Sequence, residues 1–231
     1  MKKVVSMMMA VLMLVCVLCT VGCSTEEKEP ENAIYVTIAN GDLILTRKAV
    51  SLSDADGDGA TTVNDALILA HDASYEGGAK AGFSSAETEY GLSLTCLWGN
   101  TSGSYGYCVN DASAMSLYDA VKVDDHVYAY VYTDLVAWSD VYSYFDVSAA
   151  ETTKGEQLTL TLSYAGYDAN WNPVTSPVAD AVIMIDGEAT EYKTDAEGKV
   201  TLTFDGKGKF TVSATSQTLT LVPPVCLVTV K

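Results

Sequence analysis

A twelve-residue stretch from Asp54 to Asp65, Asp-Ala-Asp-Gly-Asp-Gly-Ala-Thr-Thr-Val-Asn-Asp, constrains the fold of this chain more than any other feature. Carboxylates stand at its positions 1, 3, 5 and 12, which are Asp54, Asp56, Asp58 and Asp65, and Gly59 stands at position 6. This spacing wraps a hard divalent cation in oxygen ligands, and the glycine permits the sharp turn between them. The stretch therefore predicts a calcium site where the chain bends into a helix.

Two further ligands follow from positions within this stretch, which we call the acidic loop. The backbone carbonyl of Ala60 at position 7 and a water held by Thr62 at position 9 would complete the oxygen donors. The alternative interpretation is a solvated acidic turn, since Asp and Gly are common turn formers. A second stretch, which begins at Asp168, has Pro173 at position 6, where the positive φ of glycine is needed, so we reject it.

The acidic loop resembles the loop of dockerin repeats, an EF-hand type that also ends in Asp and runs directly into a helix. The resemblance covers one loop and one helix, whereas dockerins generally carry two such repeats. Thr61 replaces the expected aliphatic residue, and Val63 and Asn64 replace the small hydroxyl pair that often contacts the cohesin partner. The resemblance implies a calcium cofactor and a role in protein interaction.

The first 22 residues have the pattern of a signal peptide. Lys2 and Lys3 precede an apolar run over residues 4–22, which is the order of the charged and hydrophobic regions in such a peptide. The alternative is an uncleaved membrane helix, because the run approaches the span length of about 20 residues. The pattern predicts an exported protein in which residues 23–33 form a polar tether.

Residues 20–23, Thr-Val-Gly-Cys, resemble the lipobox of bacterial lipoproteins, in which cleavage before the cysteine leaves a lipidated thiol. Thr20 departs from the usual Leu of that motif. The resemblance implies that Cys23 carries the lipid and that the bacterial membrane is a partner through this anchor, with the rest of the chain facing outside the cytoplasm.

Residues 34–146 read as two strands, a helix and further strands. Asn40-Gly41 is a strong hairpin signal between the first two strands. Apolar residues then recur at helical spacing after the acidic loop, at Val63, Ala66, Leu67 and Ala70. Residues 90–97, 105–110 and 126–132 have the composition of strands.

A family resemblance covers the same residues. Gly106-Tyr107-Cys108-Val109-Asn110, followed by Val123-Asp124-Asp125-His126-Val127-Tyr128-Ala129-Tyr130, resembles the signature of transcobalamin carboxy-terminal-like β-grasp domains. The resemblance implies an α+β class, with a β-grasp domain that has one main helix over residues 34–146. The acidic loop is an addition to that pattern.

Residues 147–231 predict a different, all-β unit. Short segments of alternating apolar and polar residues are separated by turns such as Asp186-Gly187 and Asp205-Gly206. This pattern predicts a β-sandwich. Residues 181–187 and 194–199 resemble bacterial immunoglobulin-like and prealbumin-like surface modules. The resemblance implies an immunoglobulin-like sandwich whose acidic turns are structural.

Aromatic residues are crowded between residues 90 and 145. Tyr128, Tyr130 and Tyr132 alternate with small or aliphatic residues, so one face of their strand is all tyrosine. Rigid amphipathic rings suit a glycan, a small planar molecule or a protein partner. The candidate ligand-binding residues are Trp98, Tyr105, Tyr107, Tyr128, Tyr130 and Tyr132. The alternative is that these rings only cover the sheet.

Two cysteines flank a turn rich in Gly, Ser and Asn. Cys96 and Cys108 lie on either side of residues 99–106, so they can face each other across a hairpin and oxidise outside the cytoplasm. Whether they form a disulfide depends on a geometry that the sequence does not give. Cys226 is expected to be a small buried hydrophobe.

Charge and histidine content exclude two classes of function. The net charge is −17, whereas nucleic-acid binding needs clustered Lys and Arg, so nucleic acid is not expected as a partner. The two histidines, His71 and His126, have no nucleophile or metal-ligand spacing around them, so no enzyme is expected. The sequence favours a calcium-binding surface lipoprotein that binds a ligand through its aromatic face. The alternative is a structural, adhesive or dockerin-like protein-interaction protein.

Overall fold

The computed structural model describes residues 28–170 and 172–231, so the predicted signal peptide and Cys23 lie outside the described residues. Strands take up 51% of the described residues and helices 8%. The predicted α+β class, with a β-grasp domain over residues 34–146, is therefore wrong, and the chain is mostly β. No helix in the described part is long and apolar enough to cross a membrane.

The first half of the chain contains seven strands and two helices. The strands are β1 Ala33–Asn40, β2 Asp42–Ser51, β3 Phe83–Thr88, β4 Gly91–Leu97, β5 Tyr105–Val109, β6 Ala112–Ser113 and β7 His126–Val131. The helices are α1 Val63–Ser74 and α2 Ala79–Gly82.

The second half contains ten strands and no helix among its described residues. They are β8 Asp140–Phe145, β9 Ala149–Thr152, β10 Gln157–Tyr167, β11 Pro173–Pro177, β12 Val182–Ile185, β13 Glu188–Lys193, β14 Lys199–Thr203, β15 Gly208–Thr215, β16 Thr220–Val222 and β17 Cys226–Val230.

One face of the first sheet is covered by α1. The sheet has the order β2-β1-β7-β5-β6, with β1 antiparallel to β2 and parallel to β7. The β1–β2 turn has Gly41 at φ +75°, as the Asn40-Gly41 signal predicts. Alternate residues of β1, Ile34, Val36 and Ile38, are fully buried in one cluster with the apolar side of α1.

The other face of this sheet is covered by the second half of the chain. Tyr128 and Tyr130 of β7 belong to a buried cluster whose other members are Ala39, Cys108, Tyr142, Val222 and Val225. We call this set the junction cluster. With α1 on one face and the junction cluster on the other, all six residues of β7 are buried. The first sheet is therefore one layer of a larger β structure, which is why an independent α+β domain does not describe it.

The second half is a β-sandwich, as predicted. One sheet has the order β11-β10-β8-β16 with β14 also on β10, and the other has the order β13-β12-β15-β17-β9. Apolar residues such as Phe145, Leu162, Ile183 and Val228 fill the space between them. β8 lies before the predicted boundary at residue 146 but pairs with β10 and β16, and the boundary stays a prediction.

The possible disulfide between Cys96 and Cys108 is not formed in this structure, where both cysteines and Cys226 are free and buried. β4 pairs with β3, and β5 pairs with β6 and β7, so the two cysteines are not hairpin partners. The Cys96 Sγ donates to the Gly82 carbonyl oxygen at 3.4 Å, whereas Cys108 lies in the junction cluster. Burial raises the pKa of the Cys108 thiol to about 12.

The substitution Gly106→Ala, which adds a methyl group, tests the packing of the junction cluster. A Cβ there would lie 2.2 Å from Tyr130 Cζ, so Gly106→Ala has to displace this ring. We expect the free energy of unfolding to fall by about 1–3 kcal/mol. We also expect one urea transition for the parent chain and two for this variant, because its halves lose their contact.

Gly206→Ala is the matched control, because its nearest atom, Phe210 Cζ, lies at an ordinary 3.8 Å. This variant should keep a single transition with a stability within about 0.5 kcal/mol of the parent. Equal urea curves for the two variants would contradict the role that we assign to Tyr130.

Candidate metal centre

The acidic loop brings three of its carboxylates together. Asp54, Asp56 and Asp58 each offer an oxygen atom within 4.8 Å of the other two, and all three residues are exposed. The loop bends twice through the left-handed region, at Gly57 with φ +80° and at Gly59 with φ +94°. Glycine adopts this conformation without a steric penalty, and the bends turn alternate aspartates to one side.

Backbone N–H groups hold the first carboxylate in place. Gly57 and Asp58 donate to Asp54 Oδ1 at 2.7 and 3.1 Å, and Gly59 donates to Asp54 Oδ2 at 3.0 Å. Ala60 donates its N–H to Asp58 Oδ1 at 2.8 Å. The side chains at positions 1 and 5 are therefore oriented by the loop itself.

Asp65 is placed differently from the other three carboxylates. It is fully buried, and its Oδ1 accepts from the backbone N–H groups of Ala55 at 2.6 Å and Asp56 at 3.2 Å. Its Oδ2 accepts from the backbone N–H and the hydroxyl of Thr62, both at 2.8 Å. Asp65 thus ties the start of the acidic loop to the start of α1, and it is not part of the exposed group.

Thr62 is the N-cap of α1. Its hydroxyl accepts from the backbone N–H of Asp65 at 3.5 Å while the Asp65 side chain bonds back to Thr62, which makes a reciprocal capping box. The sequence predicts Thr62 as a holder of a bridging water, but in this structure its hydroxyl is engaged by the cap.

Asn64 also helps to hold the acidic loop, although the spacing of the predicted ligands does not indicate this role. Its Nδ2 donates to Asp56 Oδ2 at 2.8 Å, and its Oδ1 accepts from the Ser85 hydroxyl at 3.1 Å. Asn64 therefore links the carboxylate at position 3 to α1 and to β3. Its position next to Asp65, at the helix start, is the signal that could have indicated this role.

The donor set fits a hard divalent cation. Three carboxylates with oxygens within 4.8 Å of one another place three negative charges in a small volume, and their mutual repulsion is relieved by a cation between them. Carboxylate oxygens are the ligands that calcium prefers. In this geometry Asp54, Asp56 and Asp58 would hold the ion, and Asp65 would hold the loop.

The six predicted ligand-binding aromatics do not share one surface. Trp98, Tyr105 and Tyr107 pack against the cluster between the first sheet and α1. Tyr128, Tyr130 and Tyr132 lie on the opposite face, in or against the junction cluster. The structure therefore divides the set between two faces of one sheet.

Tyr142 covers the face of β7 that carries Tyr128 and Tyr130 and continues to Tyr132, which we call the tyrosine face. The sequence pattern does not predict Tyr142 as a site residue. Its ring centroid lies 5.4 Å from that of Tyr128 in an edge-on contact and 5.9 Å from that of Tyr130 in a stacked one. The Tyr142 hydroxyl donates to Asp111 Oδ1 at 2.9 Å, and the Tyr128 hydroxyl donates to the Pro223 carbonyl oxygen. Burial raises the pKa of the Tyr128, Tyr130 and Tyr142 phenols, so these groups are neutral donors.

Both histidines are structural. His71 is fully buried. Its Nδ1 lies 2.7 Å from the Leu67 carbonyl oxygen, and its Nε2 accepts from the Trp98 backbone N–H at 3.1 Å, so the ring is neutral with its proton on Nδ1. His126 Nε2 lies 2.8 Å from the Thr37 hydroxyl, and both residues are buried.

Comparisons with known proteins give weak likenesses. No family model matches the chain, and no curated protein matches it. Among solved structures, the D0-D1 domain of intimin is 16% identical, with 84% of this chain and 95% of that chain covered and a TM-score of 0.28.

The N-terminal four Ig domains of Dscam1 are similar at the same level. Isoform 9.44 is 12% identical over 64% of this chain and 31% of its own, with a TM-score of 0.23. Isoform 4.44 is 10% identical over 87% and 44%, with a TM-score of 0.25. The chain thus spans less than half of these two Dscam1 chains. Because these three TM-scores are below 0.5, the likenesses carry no functional argument, and the resemblances to dockerin repeats and lipoproteins stay predictions.

Protonation of His126 is expected to destabilise the fold. Burial, with a smaller contribution from the positive charge of Arg47, lowers the pKa of His126 to about 4. An unfolded histidine has a pKa of about 6.5, so between these values the unfolded state binds more protons. The stability that His126 contributes is therefore present above about pH 6.5 and is lost as the pH falls towards about 4.

We expect His126→Gln to reduce the loss of unfolding free energy between pH 6.5 and pH 4.5, measured by urea titration at each pH. His71→Gln is the companion variant, because burial also lowers the pKa of His71. An unchanged pH dependence in both variants would show that neither ring is excluded from protonation in the folded state.

Proposed function

We propose that this protein is a non-catalytic, calcium-binding structural module of the bacterial cell surface that holds a partner-binding surface away from the membrane. The observation that carries the proposal is the junction cluster. It uses the tyrosine face, the best candidate ligand surface in the sequence, to fix one half of the chain to the other. This supports a structural or adhesive role over the binding of a small molecule or glycan.

A ligand on the tyrosine face would have to separate the two halves. Tyr128 is 2% exposed, Tyr130 6% and Tyr142 7%. Re-exposing a buried large side chain costs about 1.5–3 kcal/mol each, before the hydroxyl bonds to Asp111 and Pro223 are counted. A surface that needs this opening is poorly suited to ligand capture and well suited to a permanent joint.

The segment between β7 and β8 also restricts movement of the halves. Thr133 donates its N–H and its hydroxyl to Asp140 Oδ1 at 3.0 and 2.6 Å, and Asp134 donates its N–H to Asp140 Oδ2 at 2.8 Å. Val136 and Ala137 donate to Asp134 Oδ1 at 3.0 and 2.9 Å. A connection braced by two aspartates does not act as a free hinge, and stiffness is what a spacer requires. The Gly106→Ala comparison above tests the packing part of this argument.

Calcium would strengthen the first half where its helix leaves the acidic loop. An ion held by Asp54, Asp56 and Asp58 would lock the loop whose two ends Asp65 joins, and so would fix α1 against the sheet. Because the unfolded chain does not present this arrangement, binding free energy adds to folding free energy.

We expect calcium to raise the melting temperature of the calcium-free protein. At a free concentration of about 100 times Kd the gain in unfolding free energy is about 2.7 kcal/mol. Asp54→Ala and Asp58→Ala should abolish the shift, as measured by calorimetry with calcium and with chelator. Asp168→Ala is the matched control, because Asp168 accepts from Asn170 and Asn172 in a loop of similar sequence that we reject as a calcium site. Absence of a shift in calcium-free parent protein would refute the site.

The anchor is part of the proposal and is supported by the sequence of residues 1–23. Export followed by lipidation of Cys23 would leave the polar tether and then the β-rich halves outside the cytoplasm. We expect intact-mass analysis of membrane-fraction protein to show a diacylglyceryl group on Cys23, and Cys23→Ala to lack it. A membrane-bound chain that retains Met1 would instead show an uncleaved signal anchor.

A further inference from the structure

A groove of about 600 Å³ runs along β2, between the first half of the chain and strands β15 and β17 of the second. Of the 11 Lys and Arg side chains in the described part of the chain, Lys28, Arg47, Lys48 and Lys209 line it. Arg47 and Lys209 also line an adjoining groove of about 260 Å³. In a sequence with a net charge of −17, this gathering of cations at one place calls for an explanation. We call the two spaces together the basic groove.

Arg47 has a backbone conformation that disfavours side chains. Its φ is +41°, in the left-handed region, which costs about 1–2 kcal/mol for a residue other than glycine. The pairing of β1 with β2 shifts register between Val36 and Ile38, and the Arg47 N–H donates to the hydroxyl of Thr37 there at 3.0 Å. Such bulges redirect side chains, and strained backbone of this kind concentrates at functional sites.

The Arg47 guanidinium is held in place by contacts to Tyr35 and Ser148. Its Cζ lies 3.6 Å from the centroid of the Tyr35 ring, and its Nε donates to the Ser148 hydroxyl at 3.3 Å. Within residues 28–170 and 172–231, neither Arg47 nor Lys209 has a carboxylate within ion-pair distance. The Tyr35 hydroxyl is a further hydrogen-bond partner of the guanidinium, but no carboxylate in these ranges neutralises its charge, so the charge can act on a ligand.

Three acidic residues line the basic groove, and each accepts from a donor other than Arg47 and Lys209. Glu151, in the smaller space, pairs with Lys231 Nζ at 2.5 Å. Glu29 Oε2 accepts from the Tyr35 hydroxyl at 2.8 Å, and Asp72 Oδ1 accepts from the Ala79 N–H at 2.7 Å. The need to neutralise these three carboxylates does not explain why Arg47 and Lys209 converge.

We propose that the basic groove binds a phosphate or sulfate group, with the Arg47 guanidinium as a two-pronged donor and the Lys209 ammonium as a second positive charge. A planar guanidinium matches the oxygen spacing of such oxyanions, and a fixed one loses little side-chain entropy on binding. Tyr35 and Ser148 supply that fixation, one from each half of the chain. The positive charge at this place is also felt by buried His126, whose pKa Arg47 helps to lower after the larger effect of burial.

The test is a calorimetric titration of the full chain in detergent, in calcium-free buffer of low ionic strength. The probes are inorganic phosphate, inorganic sulfate and polyphosphate. We expect at least one probe to bind and its affinity to fall as salt is added. Binding of the free ions would indicate a small ligand, whereas binding of polyphosphate alone would indicate an oxyanion borne on a larger molecule.

Arg47→Asn should weaken binding by about tenfold or more, because it removes charge-assisted hydrogen bonds. Asparagine tolerates the left-handed region, so this variant should stay folded, as a thermal melt can verify. Lys209→Gln should weaken binding by a smaller factor. Lys199→Gln removes the same charge from an exposed residue outside the basic groove and should leave the affinity unchanged.

Failure of all three probes to bind would overturn the proposal. So would an equal loss of affinity in Lys199→Gln and Arg47→Asn, since binding would then follow net charge and not the basic groove.

Discussion

The contact of Tyr130 and Tyr142 across the junction cluster is the interaction on which the rest of the structure depends. One ring comes from the first sheet and the other from β8, and they stack with 18° between their planes. Gly106 makes room for Tyr130 on the neighbouring strand, since no side chain fits beneath the ring. Without this contact, each half would expose a tyrosine-covered sheet to water. The residues that remain exposed for function are therefore those outside the junction cluster.

The first sheet is organised from its opposite side by one buried carboxylate. Asp65 accepts four hydrogen bonds, three of them from backbone N–H groups at the start of the acidic loop and the start of α1. A buried carboxylate with this number of donors keeps the turn and the helix start in register. The exposed Asp54 also accepts three backbone N–H groups within the loop. Asp65 thus fixes the two ends of the acidic loop, and Asp54 fixes its bends.

Several features could be predicted from the sequence because they depend on local spacing. The hairpin at Asn40-Gly41, the helix after the acidic loop and the grouping of Asp54, Asp56 and Asp58 follow from turn chemistry and periodicity. The β-sandwich after residue 147 follows from alternation. These signals act over a few residues, and tertiary packing does not change their direction.

The features that could not be predicted depend on what lies opposite a strand. Alternation in residues 128–132 shows that tyrosines share a face but not that Tyr142 and Val222 cover it. The sequence of the first half therefore predicts an independent α+β domain, which this packing overturns. Cys96 and Cys108 are close in sequence, yet their strands pair with different neighbours. Arg47 reads as an ordinary strand residue, because a bulge in β2 leaves no mark in the alternation of residues 42–51.

The position of β17 has a consequence for folding. β17 lies between β15 and β9, and Leu227 pairs with Ala149 at a separation of roughly 80 residues. Closing that sheet therefore requires a large loss of loop entropy, which makes folding slow. Until β17 docks, β9 has no partner strand and β15 has an unpaired edge, so the incomplete sheet is at that stage most exposed to aggregation.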